Sequence, residues 1–255
     1  MKLLFIGDVV GSAGVTFLEK NIYNIRKEYL IDVTVINGEN SAVGNGITPD
    51  SYSALVRLGA DVVTTGNHCF RRREVVSFYD EKETLLRPAN YPDGVAGRGY
   101  TVLDLGRTSI AVINLMGTVY MDGLDNPFTV IDNILSKISA KNIIVDLHAE
   151  ATAEKKALGF YLDGKVTAVL GTHTHVQTAD EIILPNGTAY ITDVGMTGPE
   201  LSVLGVQTEL AVEKLRTHCP VTFKESASPC FINGVIVDFD EHSGRARSIE
   251  RLIIR

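Results

Sequence analysis

The sequence predicts an α/β fold with mixed sheets, organised as one domain over residues 1–255. Short apolar runs alternate with segments of helical periodicity in the first third of the chain, which is typical of parallel strands joined by helices. Two predicted hairpins, over residues 100–115 and 182–191, and a strand-rich C-terminal tail interrupt this alternation. A TIM barrel is the main alternative at this length, and its eightfold β/α repeat leaves no place for the hairpins.

The N-terminal segment contains three predicted pairs of a strand and a helix. Val15, Leu18 and Ile22 recur at helical spacing after the first strand. Thr48 precedes Pro49, and proline is favoured at the first helical position because its missing N–H costs nothing there. In chain order, the predicted elements are the strand Leu3–Ile6, a helix that ends near Tyr29, the strand Val33–Ile36, a helix that starts at Pro49, the strand Asp61–Thr65 and a helix over Arg71–Leu86.

The rest of the chain is richer in strands. Turn residues at 106–108 and the sequence Pro185-Asn186-Gly187 predict the two hairpins. In chain order, the predicted elements are the strands Tyr100–Leu105 and Ser109–Leu115, a loop over Met116–Asn126, a helix over Pro127–Ile138, the strand Asn142–Val145, a helix over Glu150–Leu158, the strand Val166–Leu170, the strands Ile182–Leu184 and Thr188–Ile191, and the C-terminal strands Cys230–Phe239 and Ser248–Ile254.

Composition excludes several classes of partner. The chain has 24 Lys and Arg against 31 Asp and Glu, a net charge of −7, so we expect no long nucleic acid as a partner. No apolar run approaches the roughly 18 residues of a membrane span, and the N-terminal apolar run is too short for a signal peptide. Three widely spaced cysteines form neither a disulfide framework nor a metal knuckle. We therefore expect a soluble, cytoplasmic protein without a membrane partner.

Polar side chains follow five of the predicted strands. Because the carboxyl ends of parallel strands meet at one edge of a sheet, these side chains should share one site. The five clusters are Gly7-Asp8, Gly38-Glu39-Asn40, Gly66-Asn67-His68, Asp146-Leu147-His148 and Gly171-Thr172-His173-Thr174-His175.

The residue types in these clusters indicate a metal site. They include carboxylates, carboxamides and four of the six histidines, a mixture that suits Mn, Fe, Zn or Co. His173 and His175 would point to one side of an extended segment. The candidate ligands exceed what one ion needs, which favours two ions that together promote displacement at a phosphoryl group.

This ordered motif set resembles that of calcineurin-like metallophosphoesterases, and most closely the bacterial YmdB-like branch, described as 2′,3′-cyclic-nucleotide phosphodiesterases. The resemblance spans the whole chain and implies a four-layer α/β/β/α sandwich with two mixed sheets. It also implies hydrolysis of small phosphodiesters, with 2′,3′-cyclic nucleotides expected first, by a hydroxide that two metals activate. Further strings that carry it are Ile6-Gly7-Asp8-Val9-Val10-Gly11, Asn114-Leu115-Met116-Gly117, His148-Ala149-Glu150-Ala151-Thr152, Thr174-His175-Val176-Gln177-Thr178-Ala179-Asp180 and Thr192-Asp193-Val194-Gly195-Met196-Thr197-Gly198-Pro199.

The resemblance also implies roles for individual residues. His68 would be the general acid or transition-state stabiliser. One metal would bind Asp8, Glu39, Asn40 and His175, and the other would bind Glu39, Asn67, His148 and His173. Both would be divalent or mixed-valence transition-metal ions, with Fe or Mn expected and Zn or Co as alternatives.

Two departures from the wider superfamily are visible. Its opening Asp-x-His reads Asp8-Val9-Val10 here, so that one histidine is absent and Asn40 would take its place. Glu39 replaces the bridging aspartate, and Cys69-Phe70 stand where the YmdB-like branch tends to have a small residue and tryptophan.

The sequence leaves several alternatives open. One is a phosphomonoesterase that acts on nucleotides or phosphoproteins, because the same metals serve both reactions. Another is a metal-dependent regulatory binding protein with vestigial catalysis. Cys69 beside His68 allows a Cys/His nucleophile, Arg71–Arg73 allow a phosphate clamp, and a homo-oligomer is possible.

Overall fold

The computed structural model describes residues 1–255 and contains thirteen strands and six helices. The strands are β1 Lys2–Ile6, β2 Asp8–Val9, β3 Val33–Asn37, β4 Val62–Thr64, β5 Tyr100–Asp104, β6 Ser109–Met116, β7 Asn142–His148, β8 Ala168–Thr172, β9 Ile182–Ile183, β10 Ala189–Ile191, β11 Met196–Pro199, β12 Cys230–Phe239 and β13 Ala246–Ile254. The helices are α1 Gly11–Tyr29, α2 Pro49–Arg57, α3 Phe78–Glu81, α4 Pro127–Leu135, α5 Thr152–Tyr161 and α6 Thr208–Thr217.

The first sheet has seven strands and combines the N-terminal and C-terminal parts of the chain. β1, β3 and β4 run parallel to one another, and β12 pairs antiparallel with β1. β11 and β13 also pair antiparallel with β12, and β2 lies parallel to β11. The carboxyl ends of β1, β3 and β4 therefore lie at the same edge.

The second sheet has six strands in the order β5-β6-β7-β8-β10-β9. Its four central strands are parallel. The two outer pairs, β5 with β6 and β9 with β10, are antiparallel. Both hairpins that the sequence predicts are thus confirmed, and both sheets are mixed.

Three buried apolar layers hold the fold together. Leu3 and Phe5 of β1 belong to the cluster between the two sheets, together with Ile110 of β6. Leu4 of the same strand points to the other face and packs in the cluster that includes Leu18 of α1. A third cluster lies between the second sheet and helices α4 and α5. The order of layers is helix, sheet, sheet, helix, which confirms the predicted four-layer sandwich.

The predicted helix over Arg71–Leu86 is wrong. The segment contains only a 3₁₀ turn at Arg73–Val75 and the four-residue helix α3. Its end is extended instead, because Val63 of β4 exchanges backbone hydrogen bonds with Thr84 and Leu86. Pairing with the edge of the first sheet outweighs the helical preference of the segment. The structure also adds β2, β11 and α6, which the sequence reading did not identify.

The basic run at 71–73 contacts the loop that follows β3. The Arg72 side chain donates hydrogen bonds to the backbone carbonyls of Val43 and Asn45, the latter at 2.9 Å. The Arg72 guanidinium group therefore links two loops through backbone carbonyls and is not free to bind a phosphate.

No helix in the structure has both the length and the apolar content that crossing a bilayer requires.

Candidate metal centre

The structure brings all eight predicted site residues to one edge, at the carboxyl ends of strands from both sheets. Asp8 follows β1, Glu39 and Asn40 follow β3, and Asn67 and His68 follow β4. From the second sheet, His148 ends β7, and His173 and His175 follow β8. The polar ends of two parallel strand sets thus face each other across the interface between the sheets.

Glycines in these motifs allow other groups to approach the backbone closely. A Cβ on Gly66 would collide with the His148 ring, and one on Gly171 would collide with the Thr192 carbonyl. The glycine of the Gly-Asn-His motif is therefore needed so that His148, from the opposite sheet, can lie against the backbone beside Asn67.

Glu39 lies at the middle of the cluster and is almost fully buried. Its Oε1 is 3.3 Å from His148 Nε2 and 3.2 Å from His68 Nδ1. Asn40 donates a hydrogen bond to the same oxygen at 3.0 Å. The other oxygen, Oε2, accepts the backbone N–H of His68 at 3.1 Å. One carboxylate thus touches groups on both sides of the cluster, as a bridging ligand must.

One half of the cluster is made by Asn67, His148 and His173. His148 Nε2 lies 2.9 Å from Asn67 Oδ1 and 3.0 Å from His173 Nδ1. One carboxylate oxygen of Glu39 and one ring nitrogen from each of the two histidines all lie within 4.8 Å of one another. Four electron-donating atoms therefore converge on one small volume.

The other half is made by Asp8, Asn40 and His175. His175 Nε2 is 3.6 Å from Asp8 Oδ1 and 3.3 Å from Asn40 Nδ2. Asp8 is fully buried, yet its Oδ1 accepts no hydrogen bond. A buried acceptor left without a donor costs about 1–3 kcal/mol, and a cation at this point removes that cost. Asp8, His175 and the unpaired oxygen fit a divalent metal ion, and Asn40 would bind it through Oδ1, because its Nδ2 cannot act as a ligand.

Charge and burial together shift the pKa values of the cluster. Burial alone would raise the pKa of Glu39, but the charge and hydrogen bond of His148 outweigh it and hold this pKa well below its ordinary value. Burial would lower the pKa of His148, but Glu39 raises it to about 9. Burial and the neighbouring charge of His148 lower the pKa of His173 to about 4. The Glu39 carboxylate is therefore in the anionic form that a metal needs.

His68 is placed differently from the other histidines. Its Nδ1 faces Asn40 Oδ1 at 3.0 Å and Glu39 Oε1 at 3.2 Å. The side chain is 31% exposed, and its Nε2 makes no hydrogen bond to the protein. One ring nitrogen is thus held by the cluster, while the other is free to face a substrate.

Cys69 does not serve as a nucleophile. Its side chain is fully buried, and burial raises the pKa of the thiol to about 12. The thiolate, which is the reactive form, is therefore absent near neutral pH.

The next residue, Phe70, packs edge to face against Tyr79 and Tyr91, and the ring centroids of each pair are 5.3 Å apart.

The backbone around the two neighbouring histidines differs from the expectation. His173 and His175 have φ angles of +105° and +64°, so the segment is a strained turn and not an extended strand. Asp8 accepts the backbone N–H of His173 at 3.2 Å, and Asp193 accepts that of Thr174 at 3.0 Å. The rings reach the cluster through this turn.

Sequence reasoning left several residues of the site without a role. Asp146 belongs to one of the five polar clusters, and its side chain lies on the same face of β7 as that of His148 because the two are two residues apart. Burial raises the pKa of Asp146 to about 7, although His148 and two threonine hydroxyls lower it. Glu150 lies 3.2 Å from His173 Nε2. Lys155 and Asp193 form a buried ion pair at 2.8 Å, for which no local sequence pattern gives a signal.

Comparison with known proteins agrees with this geometry. The family model described as YmdB-like protein matches residues 4–252. The chain is 44% identical to the 2′,3′-cyclic-nucleotide 2′-phosphodiesterase of Bacillus subtilis (strain 168), over 100% of this chain and 97% of that protein.

Solved structures are similar to this chain over nearly its whole length. The crystal structure of a hypothetical protein from Thermus thermophilus has a TM-score of 0.94 and 40% identity, and the match covers 99% of this chain and 98% of that one. A novel phosphatase from Mycoplasma pneumoniae has a TM-score of 0.95 and 34% identity, with 100% and 93% coverage. The calcineurin-like phosphoesterase YfkN from Bacillus subtilis has a TM-score of 0.60 at 12% identity, with 100% and 90% coverage, and therefore shares the fold. The chain is a hydrolase of the phosphoesterase class and belongs to the YmdB-like family.

Proposed function

We propose that this protein hydrolyses small phosphodiesters, with 2′,3′-cyclic nucleotides as the substrate class, at a centre of two divalent metal ions. The observation that carries the proposal is the convergence of buried ligand atoms around Glu39, with Asp8 Oδ1 left without a hydrogen bond. The similarity to the Bacillus subtilis 2′,3′-cyclic-nucleotide 2′-phosphodiesterase supports the substrate class.

Each half of the cluster would hold one ion, and Glu39 would bind both. The first ion would be held by Asp8, Glu39, Asn40 and His175, and the second by Glu39, Asn67, His148 and His173. The donors are oxygen and imidazole atoms without thiolate, a set that suits Fe or Mn first and Zn or Co as alternatives. Divalent ions at such a centre supply Lewis acidity, which activates water near neutral pH and stabilises negative charge on a phosphoryl group.

His68 would supply the proton that the leaving oxygen needs. Asn40 and Glu39 hold its Nδ1, so Nε2 is directed away from the buried ligands. Because Nδ1 faces two acceptor oxygens and therefore carries a hydrogen, Nε2 can donate a proton only from the cationic ring, and this form also stabilises phosphoryl charge. Asn40 therefore has two tasks in this proposal, because it contacts both His175 and His68.

Metal analysis combined with a substrate panel tests the proposal. Protein purified without chelator should contain two transition-metal ions per chain. It should cleave 2′,3′-cyclic AMP and bis(nitrophenyl) phosphate faster than nitrophenyl phosphate. Fewer than two ions in an active preparation would contradict the two-metal centre. Faster cleavage of the monoester would favour a phosphomonoesterase, and two bound ions without any hydrolysis would favour a binding protein.

The variant His68→Ala separates catalysis from metal binding. It should keep both ions and lower kcat at least about 10²-fold, because a positioned general acid contributes about 10²–10⁴-fold. Unchanged turnover would refute the role of His68. His242 is exposed and lies outside the cluster, so His242→Ala is the matched control.

A further inference from the structure

A buried polar network lies directly beneath the candidate metal centre, between the two sheets. It consists of Asn37 at the end of β3, Thr64 in β4, Asp146 in β7 and Thr172 in β8, all of which are fully buried. None of the four is a proposed metal ligand. A network of this kind is stabilising only when every donor and acceptor is paired.

The backbone N–H of Glu39 fixes the orientation of the Asn37 amide, and with it the direction of the hydrogen bond from Asn37 to Asp146. The Glu39 N–H can only donate, and it donates to the side chain of Asn37 at 3.2 Å, so the atom that faces it is Oδ1. Asn37 Nδ2 therefore points the other way and donates to Asp146 Oδ2 at 3.0 Å. Thr64 donates to the same oxygen at 2.5 Å.

Thr172 links this network to His148. Its hydroxyl carries a single hydrogen, which it donates to Asp146 Oδ1 at 2.7 Å. Toward His148 Nδ1, 2.9 Å away, the same hydroxyl can only accept. His148 must therefore carry a proton on Nδ1. Its Nε2 is left as the atom that faces Glu39 Oε1 and Asn67 Oδ1.

We propose that Asp146 is a positioning residue that fixes the tautomer of His148 through the Thr172 hydroxyl, so that Nε2 is available for a metal ion. The inference rests on the proposed function in one respect, because it takes His148 as a ligand. Asp146 does not touch the ligand cluster itself. A carboxylate at position 146 can only accept the Thr172 hydrogen. An amide at this position could instead donate a hydrogen to Thr172, so the direction of the hydrogen bond would no longer be fixed.

Zn²⁺ binding by Asp146→Asn tests the proposal at pH 8. The new amide can donate to Thr172, whose hydroxyl then turns its hydrogen toward His148 Nδ1 and leaves the ring proton on Nε2. We expect Zn²⁺ affinity at one of the two sites to fall about 10- to 100-fold, the effect typical of a lost partner behind a metal ligand. Competition with a chromophoric chelator measures both sites. In ¹⁵N-histidine spectra of the zinc-loaded wild type, His148 should show a protonated Nδ1.

Three further variants separate positioning from folding. Thr172→Ser keeps the hydroxyl and should keep the affinity, whereas Thr172→Val should weaken Zn²⁺ binding as Asp146→Asn does. The matched control is Asp61→Asn, because the Asp61 carboxylate accepts a hydrogen bond from Thr34 at the opposite end of the first sheet. This control should bind Zn²⁺ like the wild type. If Asp146→Asn does not fold, the Ser and Val variants at position 172 decide the question.

The outcomes distinguish this inference from the proposed function. If the wild type binds fewer than two Zn²⁺ ions, the two-metal centre is wrong. If the wild type binds two and Asp146→Asn binds two with unchanged affinity, the role of Asp146 is wrong. In the zinc-loaded wild type, a His148 ring that carries its proton on Nε2 and not on Nδ1 would overturn the direction of the hydrogen bonds.

Discussion

Removing one partner of the buried ion pair of Lys155 and Asp193 should destabilise the fold strongly. The two side chains are 1% and 0% exposed, and Nζ lies 2.8 Å from Oδ2. Lys155 also donates to the Thr172 carbonyl at 2.8 Å. Asp193 accepts the backbone N–H of Thr174 at 3.0 Å and that of Gly195 at 2.9 Å. The charges are thus paired and hydrogen-bonded on both sides.

Lys155→Met removes the cation and leaves the aspartate charge buried. Breaking a buried pair by removing one partner costs about 3–5 kcal/mol, because the remaining charge is uncompensated. For a chain near this size, each kcal/mol lowers Tm by about 2–4 °C, so we expect a decrease of about 6–20 °C. The two backbone N–H donors to Asp193 remain, which favours the lower part of this range.

Urea unfolding of chelator-treated protein measures this effect without a contribution from metal binding. The matched control is Lys156→Met. Lys156 is the next residue, is 49% exposed, and pairs with Asp180 at 3.2 Å, so its loss should cost only about 0–1 kcal/mol. The double variant Lys155→Met with Asp193→Leu should recover part of the stability, because it removes both charges. A loss below about 1 kcal/mol in Lys155→Met would refute the reasoning. So would a double variant whose loss of stability equals the summed losses of the single variants Lys155→Met and Asp193→Leu.

Three other predictions concern separate parts of the molecule. Glu39→Gln should lose bound metal and activity together, because a carboxamide bridges two ions poorly; an active variant with two ions would contradict the bridging role. Thr48→Ala should lower the free energy of unfolding by about 1 kcal/mol, since Thr48 accepts the backbone N–H of Ser51 at the start of α2; unchanged urea unfolding would contradict this. At pH 8, iodoacetamide should modify the exposed Cys219 in the native protein and leave the buried Cys69 unmodified, as peptide mapping would show. Rapid native alkylation of Cys69 would mean that its thiol is accessible.

The position of the site could be predicted from the sequence because it depends only on where the strands end. Each apolar run that precedes a polar cluster forms a strand, and β7 is buried at all seven positions. Parallel pairing within each sheet then places the clusters at one edge, whatever the order of the strands. The four-layer arrangement came from the resemblance, since no local pattern specifies how two sheets face each other.

Tertiary contacts decide the features that the sequence reading missed. The sequence predicts a helix over residues 71–86, but the end of this segment pairs with β4 and the helix does not form. Asp146 and Asp193 look like ordinary strand-end acids in the sequence. Their roles depend on partners from distant segments, such as Thr64 for Asp146 and Lys155 for Asp193.

The turn that carries His173 and His175 connects stability with the metal centre. Positive φ angles at two residues other than glycine cost about 1–3 kcal/mol each, and such strain persists only where the surroundings enforce it. Asp8 holds the N–H of His173, and Asp193 holds that of Thr174 between the two histidines. Because Lys155 binds both Asp193 and the carbonyl before the turn, the ion pair restrains the backbone on which both rings depend. Lys155→Met should therefore weaken metal binding as well as folding, whereas Lys156→Met should leave metal binding unchanged and lower the free energy of unfolding by at most about 1 kcal/mol.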